Sequence, residues 1–338
     1  MGGLPNVYPA YQQVANEEIR KKFEAAWNAQ LSPKPGLTIM EMMAAAGKGD
    51  IKAIYIMGEN PMLSDPDLQH VKKELQKLDL MIVQDLFLTE TAQLADVVLP
   101  VASFAEKEGT FTNTERRVQR VRKAVDAPGE AKTDWEVICG IANKFGYPMK
   151  YASAKEIFEE VAKVTPSYAG LSYERLEKGG IQWPCPTKDH PGTKFLHKDK
   201  FSRGLGLFTA IEYIAPNELP DKQYPFLLST GRVLYHYHTG TMTTRTKGLT
   251  ERYPESLVEI NPADADKLKI AEGQKIRVTS RRGTVEAKAT ITKKSAPGSI
   301  FMNFHFADTS VNLLTNPALD PIGKIPEYKV CAVKLEAA

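Results

Sequence analysis

The side chains best able to do chemistry crowd into one stretch. It runs through Thr230, Gly231, Arg232, Val233, Leu234, Tyr235, His236, Tyr237, His238 and Thr239, and on through Gly240-Thr241-Met242-Thr243-Thr244-Arg245. The stretch follows Tyr224-Pro225-Phe226-Leu227-Leu228, an apolar run that reads as a short buried strand. Glycine allows close backbone approach, and Thr, Tyr, His and Arg supply donors and positive charge to a large anionic or heteroaromatic ligand. Were the strand to continue, His236 and His238 would face the same side. A polar surface loop that holds nothing is the competing reading.

Other candidates fall where strands end. Ile51–Met57 reads as a buried strand closing at Gly58-Glu59-Asn60-Pro61, and Leu80–Val83 as a second closing at Gln84-Asp85. Between them Ser64-Asp65-Pro66 caps a helix to about Lys77, with Pro66 in its first turn. A short helix from Thr89 to Leu94 leads to a third strand, Val97–Pro100. This alternation predicts a Rossmann-like parallel sheet covered by helices. Ligands of such sheets sit beyond the carboxyl ends of the strands, where Gly58, Asn60, Gln84 and Asp85 fall, although any loop tip is polar. No Gly-x-Gly-x-x-Gly follows the first strand, which argues against an ordinary NAD site.

From 106 to 122 the chain turns charged. Lys107, beside Gly109, is placed to meet a phosphate or a pterin, whereas Arg120 and Arg122 read as outward charges on a solvated strand. Thr133 or Asp134 caps a helix from Trp135 to Phe145. At the N-terminus a Pro/Tyr-rich extended arm precedes a helix over 17–29 with Ile19, Phe23 and Ala26 or Trp27 on one face. Residues 165–220 contain too many breakers for periodic structure and read as a long wrapping connection ordered by its aromatics. From Tyr224 onward the pattern is β, with a hairpin about Arg281-Arg282-Gly283 and further strands near 257–260, 298–304 and 330–335, which together fit a small closed barrel. The fold class is therefore α/β with a C-terminal β-barrel. The expected division is 1–110 as an α/β half-domain, 111–220 as a helical and irregular connection, and 221–338 as the barrel.

Composition excludes several functions. A hydrophobic fraction of 42% and a charged fraction of 25% are those of an ordinary globular protein, and a net charge of +3 is too mild to imply nucleic acid. Cys139, Cys185 and Cys331 stand far apart, so this chain alone builds no iron–sulfur or structural zinc site and no disulfide framework. No stretch approaches a membrane span or signal peptide, and Gly2 lacks the full myristoylation pattern; a cytoplasmic location is expected.

These motifs, taken in order, carry a resemblance. The segment Thr230–Thr243 resembles the cofactor-gripping segment in the last domain of molybdopterin oxidoreductases. Met57-Gly58-Glu59-Asn60-Pro61, Gln84–Thr91, Ala95–Pro100, Glu108–Gln119, Gln182-Trp183-Pro184-Cys185 and Pro326–Lys334 look like formate dehydrogenase catalytic subunits. The resemblance implies two molybdopterin guanine dinucleotides carrying molybdenum or tungsten. Gly58, Asn60, Gln84, Asp85, Lys107 and Asp134 would contact a guanine dinucleotide, the carboxylate of Asp134 competing there with its capping role. Thr230 to Thr239, Phe304, Asn312 and Lys329 would contact the pterin or border the metal; Asn312 would fix a polar edge, and Phe304 reads equally as core. The family's four-cysteine iron–sulfur segment, Cys or selenocysteine metal ligand with its His, and formate-binding Arg have no match here, and Met1–Pro9 looks like the continuation of the Arg-bearing segment. The expectation is a C-terminal half that contributes no catalytic residue or metal ligand, is inactive alone, and works with a partner chain supplying those parts and with electron-transfer subunits, on formate and CO2. A non-catalytic scaffold, or a relative acting on nitrate or a formyl carrier, are the alternatives.

Overall fold

The computed structural model describes residues 3–338; Met1 and Gly2, the start of the expected N-terminal arm, lie outside the described residues. By contacts the chain forms two compact units that interleave rather than follow chain order: 1–38 with 99–211, and 39–98 with 212–338. Neither coincides with the boundaries read from the sequence at 110 and 220.

In the second unit, Ala53–Met57 pairs in parallel with Leu80–Asp85, and Val97–Pro100 completes a three-stranded sheet. Ile56, Met81 and Val83 pack with Met43 of the helix Ile39–Lys48 and with Val71 and Leu75 of the helix Leu68–Leu75. The cap expected at Ser64-Asp65-Pro66 is displaced. A short helix, Pro61–Ser64, comes first, and the next starts at Leu68 after Asp67 in the left-handed region. Asp65, buried between the two, is unavailable as a cap. The helix expected over Thr89–Leu94 is one 3-10 turn, Ala92–Leu94.

The same unit contains the barrel. Its strands close in the order Leu257–Ile260, Thr284–Ile291, Lys275–Thr279, Cys331–Ala337, Phe226–Gly231, Ser299–Asn303. Period-two alternation is what permits closure: Phe226, Leu228 and Thr230 are buried while Leu227, Ser229 and Gly231 are only partly covered. Leu228, Ile260, Ile276 and Ile300 lie at its centre, each burial contributing roughly 1.5–3 kcal/mol.

In the first unit, Glu17–Trp27 is capped by Asn16, whose side chain accepts the Ile19 N–H at 3.0 Å. Its fully buried Phe23 stacks on Tyr8 with ring centres 4.4 Å apart, so the arm does pack. Gly109–Thr112 and Arg117–Val121 form an antiparallel pair. Arg120 is not an outward charge. Its side chain is 10% exposed, its guanidinium lies 3.7 Å from the Tyr173 ring centre, and Glu177 and Glu108 flank it. Two carboxylates and an aromatic face make burial tolerable for an arginine where solvent would otherwise be required.

The wrapping connection joins an apolar cluster only in its first part. Trp183 and Cys185 join a cluster with Val118, Phe158 and Tyr173. Farther on, Phe195, Phe201, Phe208 and Tyr213 are exposed, Phe201 meeting the nearby His197 ring at 5.5 Å.

Candidate functional site

The chain leaves the barrel at Gly231, and the expected continuation of the strand does not occur. Gly231 lies against the Phe301 ring so closely that an added Cβ would be 2.6 Å from it. After it the backbone becomes a loop pinned from below. His236 is buried: its Nε2–H donates to the Tyr253 carbonyl at 2.8 Å, and its Nδ1 sits 3.1 Å from the Thr243 hydroxyl, which also accepts the Tyr237 N–H at 3.2 Å. His238, by contrast, is exposed and left-handed, with φ of 46°. The two histidines therefore do not share a face, because a loop with a left-handed residue has no period of two.

A residue the sequence reading passed over organises this loop. His305, 1% exposed, accepts the Val233 N–H on Nε2 at 2.9 Å and donates from Nδ1 to the His238 carbonyl. One imidazole thus clamps both ends of the Val233–His238 segment and must be neutral to do so. Burial, and then the nearby His236 and Arg232, hold its pKa below the usual histidine value, against the opposing bond to the His238 carbonyl. The signal available in the sequence was its place just after Asn303-Phe304, at the end of an expected strand.

Over this clamp the outer side chains stand free of the core. Leu234 is 88% and Tyr237 68% exposed. The Arg232 guanidinium is 3.2 Å from His238 Nε2 and 5.8 Å from the Tyr237 ring centre. Burial, then Arg232, lowers the His238 pKa. Lys329 donates to the Thr230 carbonyl at 2.9 Å and lies 5.1 Å from the Phe304 ring centre; burial, then Arg232, lowers its pKa also. The Thr230 hydroxyl donates to the Tyr328 carbonyl at 2.6 Å, and the Thr239 hydroxyl lies 3.3 Å from that of Thr241. A cavity of ≈ 390 Å³ is lined by Arg232, Val233, Leu234, Tyr235, Tyr253 and Phe301, among others.

The strand-end residues of the same unit approach this loop. Arg245, at its far end, lies 4.6 Å from the ring centre of Phe87, two residues beyond Asp85. Glu59, next to Gly58, acts electrostatically on His238. Gly58 has φ of 63° and open space where a Cβ would be, so backbone could be approached there. Asp85 accepts the Leu86 N–H at 2.6 Å and the Phe87 N–H at 3.3 Å, shaping the turn. Buried Gln84 accepts from the Tyr55 hydroxyl. Asn60 bridges Glu90 at 2.9 Å and the Thr91 hydroxyl at 2.6 Å, and Asn312 donates to the carbonyls of Leu63 and Ser64 at 2.7 and 3.3 Å. These two amides brace loops. Asp65, expected only as part of a helix cap, is 3% exposed; Ser64 donates to one oxygen at 3.1 Å and the other has no partner among the described residues. Burial pushes its pKa up to about 6.

In the first unit Lys107 and Asp134 meet each other in a half-buried ion pair. Thr133, not Asp134, is the helix cap, with Glu136 completing a capping box. Lys107 also lines a cavity of ≈ 450 Å³ with Lys123, Thr133, Trp135 and Ser153.

The residues fit a large anionic heterocycle in part. Arg232, Lys329, Tyr235, Tyr237 and His238 offer cations, ring faces and donors, and Gly58 an open backbone, while Asn60, Gln84 and Asn312 already hold protein partners.

The fold is a parallel sheet whose strand ends approach a loop of a closed six-stranded barrel. Residues 2–144 match the molybdopterin oxidoreductase model and residues 226–332 the molydopterin dinucleotide binding domain. The chain belongs to the molybdopterin oxidoreductase family.

Within the family it is 56% identical, over 99% of its length and 50% of the relative's, to the F420-dependent formate dehydrogenase subunit alpha of Methanocaldococcus jannaschii. It is 40% identical to formate dehydrogenase H of Escherichia coli, over 99% of this chain and 48% of that one. The chain thus spans about half the length of the curated relatives it matches. Among solved structures, acetylene hydratase from Pelobacter acetylenicus superposes with a TM-score of 0.70 at 17% identity, over 95% of this chain and 50% of that one, a likeness of fold alone. Among the described residues no helix is long and apolar enough to cross a membrane, and no cluster of three metal-ligating side chains occurs.

Proposed function

We propose that this chain is part of a formate dehydrogenase that interconverts formate and CO2, and that it holds a bis-molybdopterin-guanine-dinucleotide cofactor. The observation that carries the reading is the clamped loop Arg232–His238, which presents one guanidinium, two tyrosines and the His238 imidazole away from the core. The 56% identity to a subunit bearing that activity in its name supports the choice of reaction.

When bound, the molybdenum or tungsten ion of that cofactor would accept the two electrons that formate loses in becoming CO2 and a proton. This chain's own work is binding and orientation. Arg232 and Lys329 neutralise anionic oxygens; Thr230, Gly231, Val233, Leu234, Tyr235, His236, Tyr237, His238 and Thr239 form the loop; Phe304 supports Lys329 from beneath. Gly58, Asn60, Gln84 and Asp85 hold or border a guanine dinucleotide, with Asn312 fixing the loop beside them; Lys107 and Asp134, in the other unit, are separate candidates for contact with such a ligand. Lys107 and Asp134 would then serve the ligand as a preassembled charge pair.

The metal ligand, proton acceptor, formate-binding arginine and iron–sulfur cluster come from the other half of the relatives' length, whether on a partner chain, as the sequence reading expects, or joined to this one. This half alone turns over nothing.

Purification of the native assembly tests the reading by metal analysis, pterin fluorescence after oxidation, and dye reduction with formate or nitrate. Formate-dependent reduction with molybdenum or tungsten bound is the expected result. An assembly free of pterin and of both metals would leave only a scaffold role, and turnover of nitrate alone would move the substrate assignment.

A further inference from the structure

One buried carboxyl of the second unit has no part in the site above. Asp65 lies in the Asp65-Pro66-Asp67 link between the helices Pro61–Ser64 and Leu68–Leu75, and it is buried. Ser64 donates to one of its oxygens at 3.1 Å, and the other is enclosed without a partner among the described residues. The charged groups that act on it are of its own sign: Glu59 from the strand-end loop and Glu74 from the helix Leu68–Leu75. Tyr328, from the barrel side, is its remaining titratable neighbour. A carboxylate in such company bears both desolvation and repulsion, whereas the neutral acid bears neither. Burial, opposed by the Ser64 bond and joined by Glu59 and Glu74, accordingly raises its pKa to about 6.

The link is tied to the supports of the Arg232–His238 loop. Asn312 donates to the carbonyls of Leu63 and Ser64 at 2.7 and 3.3 Å, and the Asp65 N–H returns to the Pro61 carbonyl at 3.2 Å. Burial, and then the Asp65 charge, hold the Tyr328 hydroxyl above the usual phenol range. The Tyr328 carbonyl accepts the Thr230 hydroxyl at 2.6 Å, and Lys329 donates to the Thr230 carbonyl at 2.9 Å. Thr230 is the last buried residue of its strand before Arg232. A charge on Asp65 therefore acts on the segment that holds the start of the loop.

We propose that Asp65 is a proton-operated latch: as the neutral acid it lets the 61–68 link close against Tyr328 and Lys329, and on losing its proton it loosens their hold on Thr230. The sense is opposite to that of His305, which must be unprotonated to hold Val233 and His238, so each device is read at its own amides. The latch concerns the chain's own brace and does not depend on the identity of the ligand.

The test follows hydrogen exchange in the native assembly at pH 5 and pH 7.5, corrected for the intrinsic rate, over 61–68 and 327–331, with the barrel strand Thr284–Ile291 as internal reference. Because the folded pKa lies above the ordinary 3.8, the stability the group gives is present below that value and is lost as pH rises through about 6. The expected result is exchange about tenfold faster at pH 7.5 than at pH 5 in both segments, with the reference strand unchanged. Asp65→Asn, neutral at both pH values, should abolish the difference. Ser64→Ala, which removes the bond favouring the charged form, should move the pH at which exchange levels off upward, and Glu59→Gln should move it downward. Equal protection of the wild type at both pH values would overturn the inference, as would a difference that survives Asp65→Asn or a Ser64→Ala curve that does not shift. Should Asp65→Asn fail to fold, the wild-type and Ser64→Ala curves still decide. An assembly free of pterin would sink the proposed function and leave the latch standing, which separates the two failures.

Discussion

Replacing His305 with alanine should release the Arg232–His238 loop while leaving the barrel core assembled. The imidazole makes two bonds at opposite ends of the loop, accepting the Val233 N–H at 2.9 Å and donating to the His238 carbonyl. Its removal leaves a backbone donor and a backbone acceptor without partners, at about 1–3 kcal/mol each, so a loss of about 2–6 kcal/mol is expected before any water enters. Urea unfolding measures the loss, and hydrogen exchange of the Val233 amide locates it. Exchange at Val233 should accelerate far more than at Leu228, inside the barrel.

The same clamp should respond to acid. The folded pKa is depressed, chiefly by burial, so the stability it contributes is present above the ordinary histidine value of about 6.5. That stability is lost as pH falls through the lower folded value, because protonating Nε2 abolishes its capacity to accept. If His305→Ala leaves Val233 exchange unchanged, or the wild-type loop is equally protected at pH 5 and pH 8, the clamp is not what holds the loop.

Asp65→Asn should stabilise the protein above pH 6. The wild-type carboxyl is raised from 3.8 to about 6, so folding favours its protonated form, and stability falls by roughly 3 kcal/mol as pH rises through that window; thermal melts at pH 4 and pH 7.5 should converge in the variant. Gly240→Ala should cost more than the usual 1 kcal/mol of a helix glycine, because φ is 73° and the new methyl would press into the His305 carbonyl; an unchanged melting temperature would refute it. In native protein a thiol reagent at pH 8 should label Cys139 first, since Cys185 is buried and burial pushes the Cys331 thiol up to about 12; rapid labelling of Cys331 counts against the barrel packing. Arg120→Ala should destabilise the first unit, leaving Tyr173 without its stacked cation and Glu177 without its better-buried partner. Arg122→Ala, whose side chain is 58% exposed, should matter little, and equal melting temperatures would be evidence against the distinction.

Much of the architecture was legible in the residues alone. Period-two alternation in Phe226–Gly231 and Thr284–Ile291 follows directly from side chains pointing alternately into and out of a sheet, and the β–α–β spacing of 53–100 allows few other packings. The Thr/His-rich loop was also visible, because its composition is unlike that of a core or a linker. What the sequence could not decide was which polar side chains face a ligand and which face the protein. His236 and His238 differ by two positions, yet one is buried under Tyr253 and the other exposed, since the strand and its alternation end at Gly231 and both lie in the loop beyond. Lys107 and Asp134 find each other across intervening strands, Asn312 reaches carbonyls of residues 63 and 64, and His305 clamps a loop far from it in sequence. Those partnerships depend on distances set by folding between segments remote along the chain, and no local pattern of residue types encodes them.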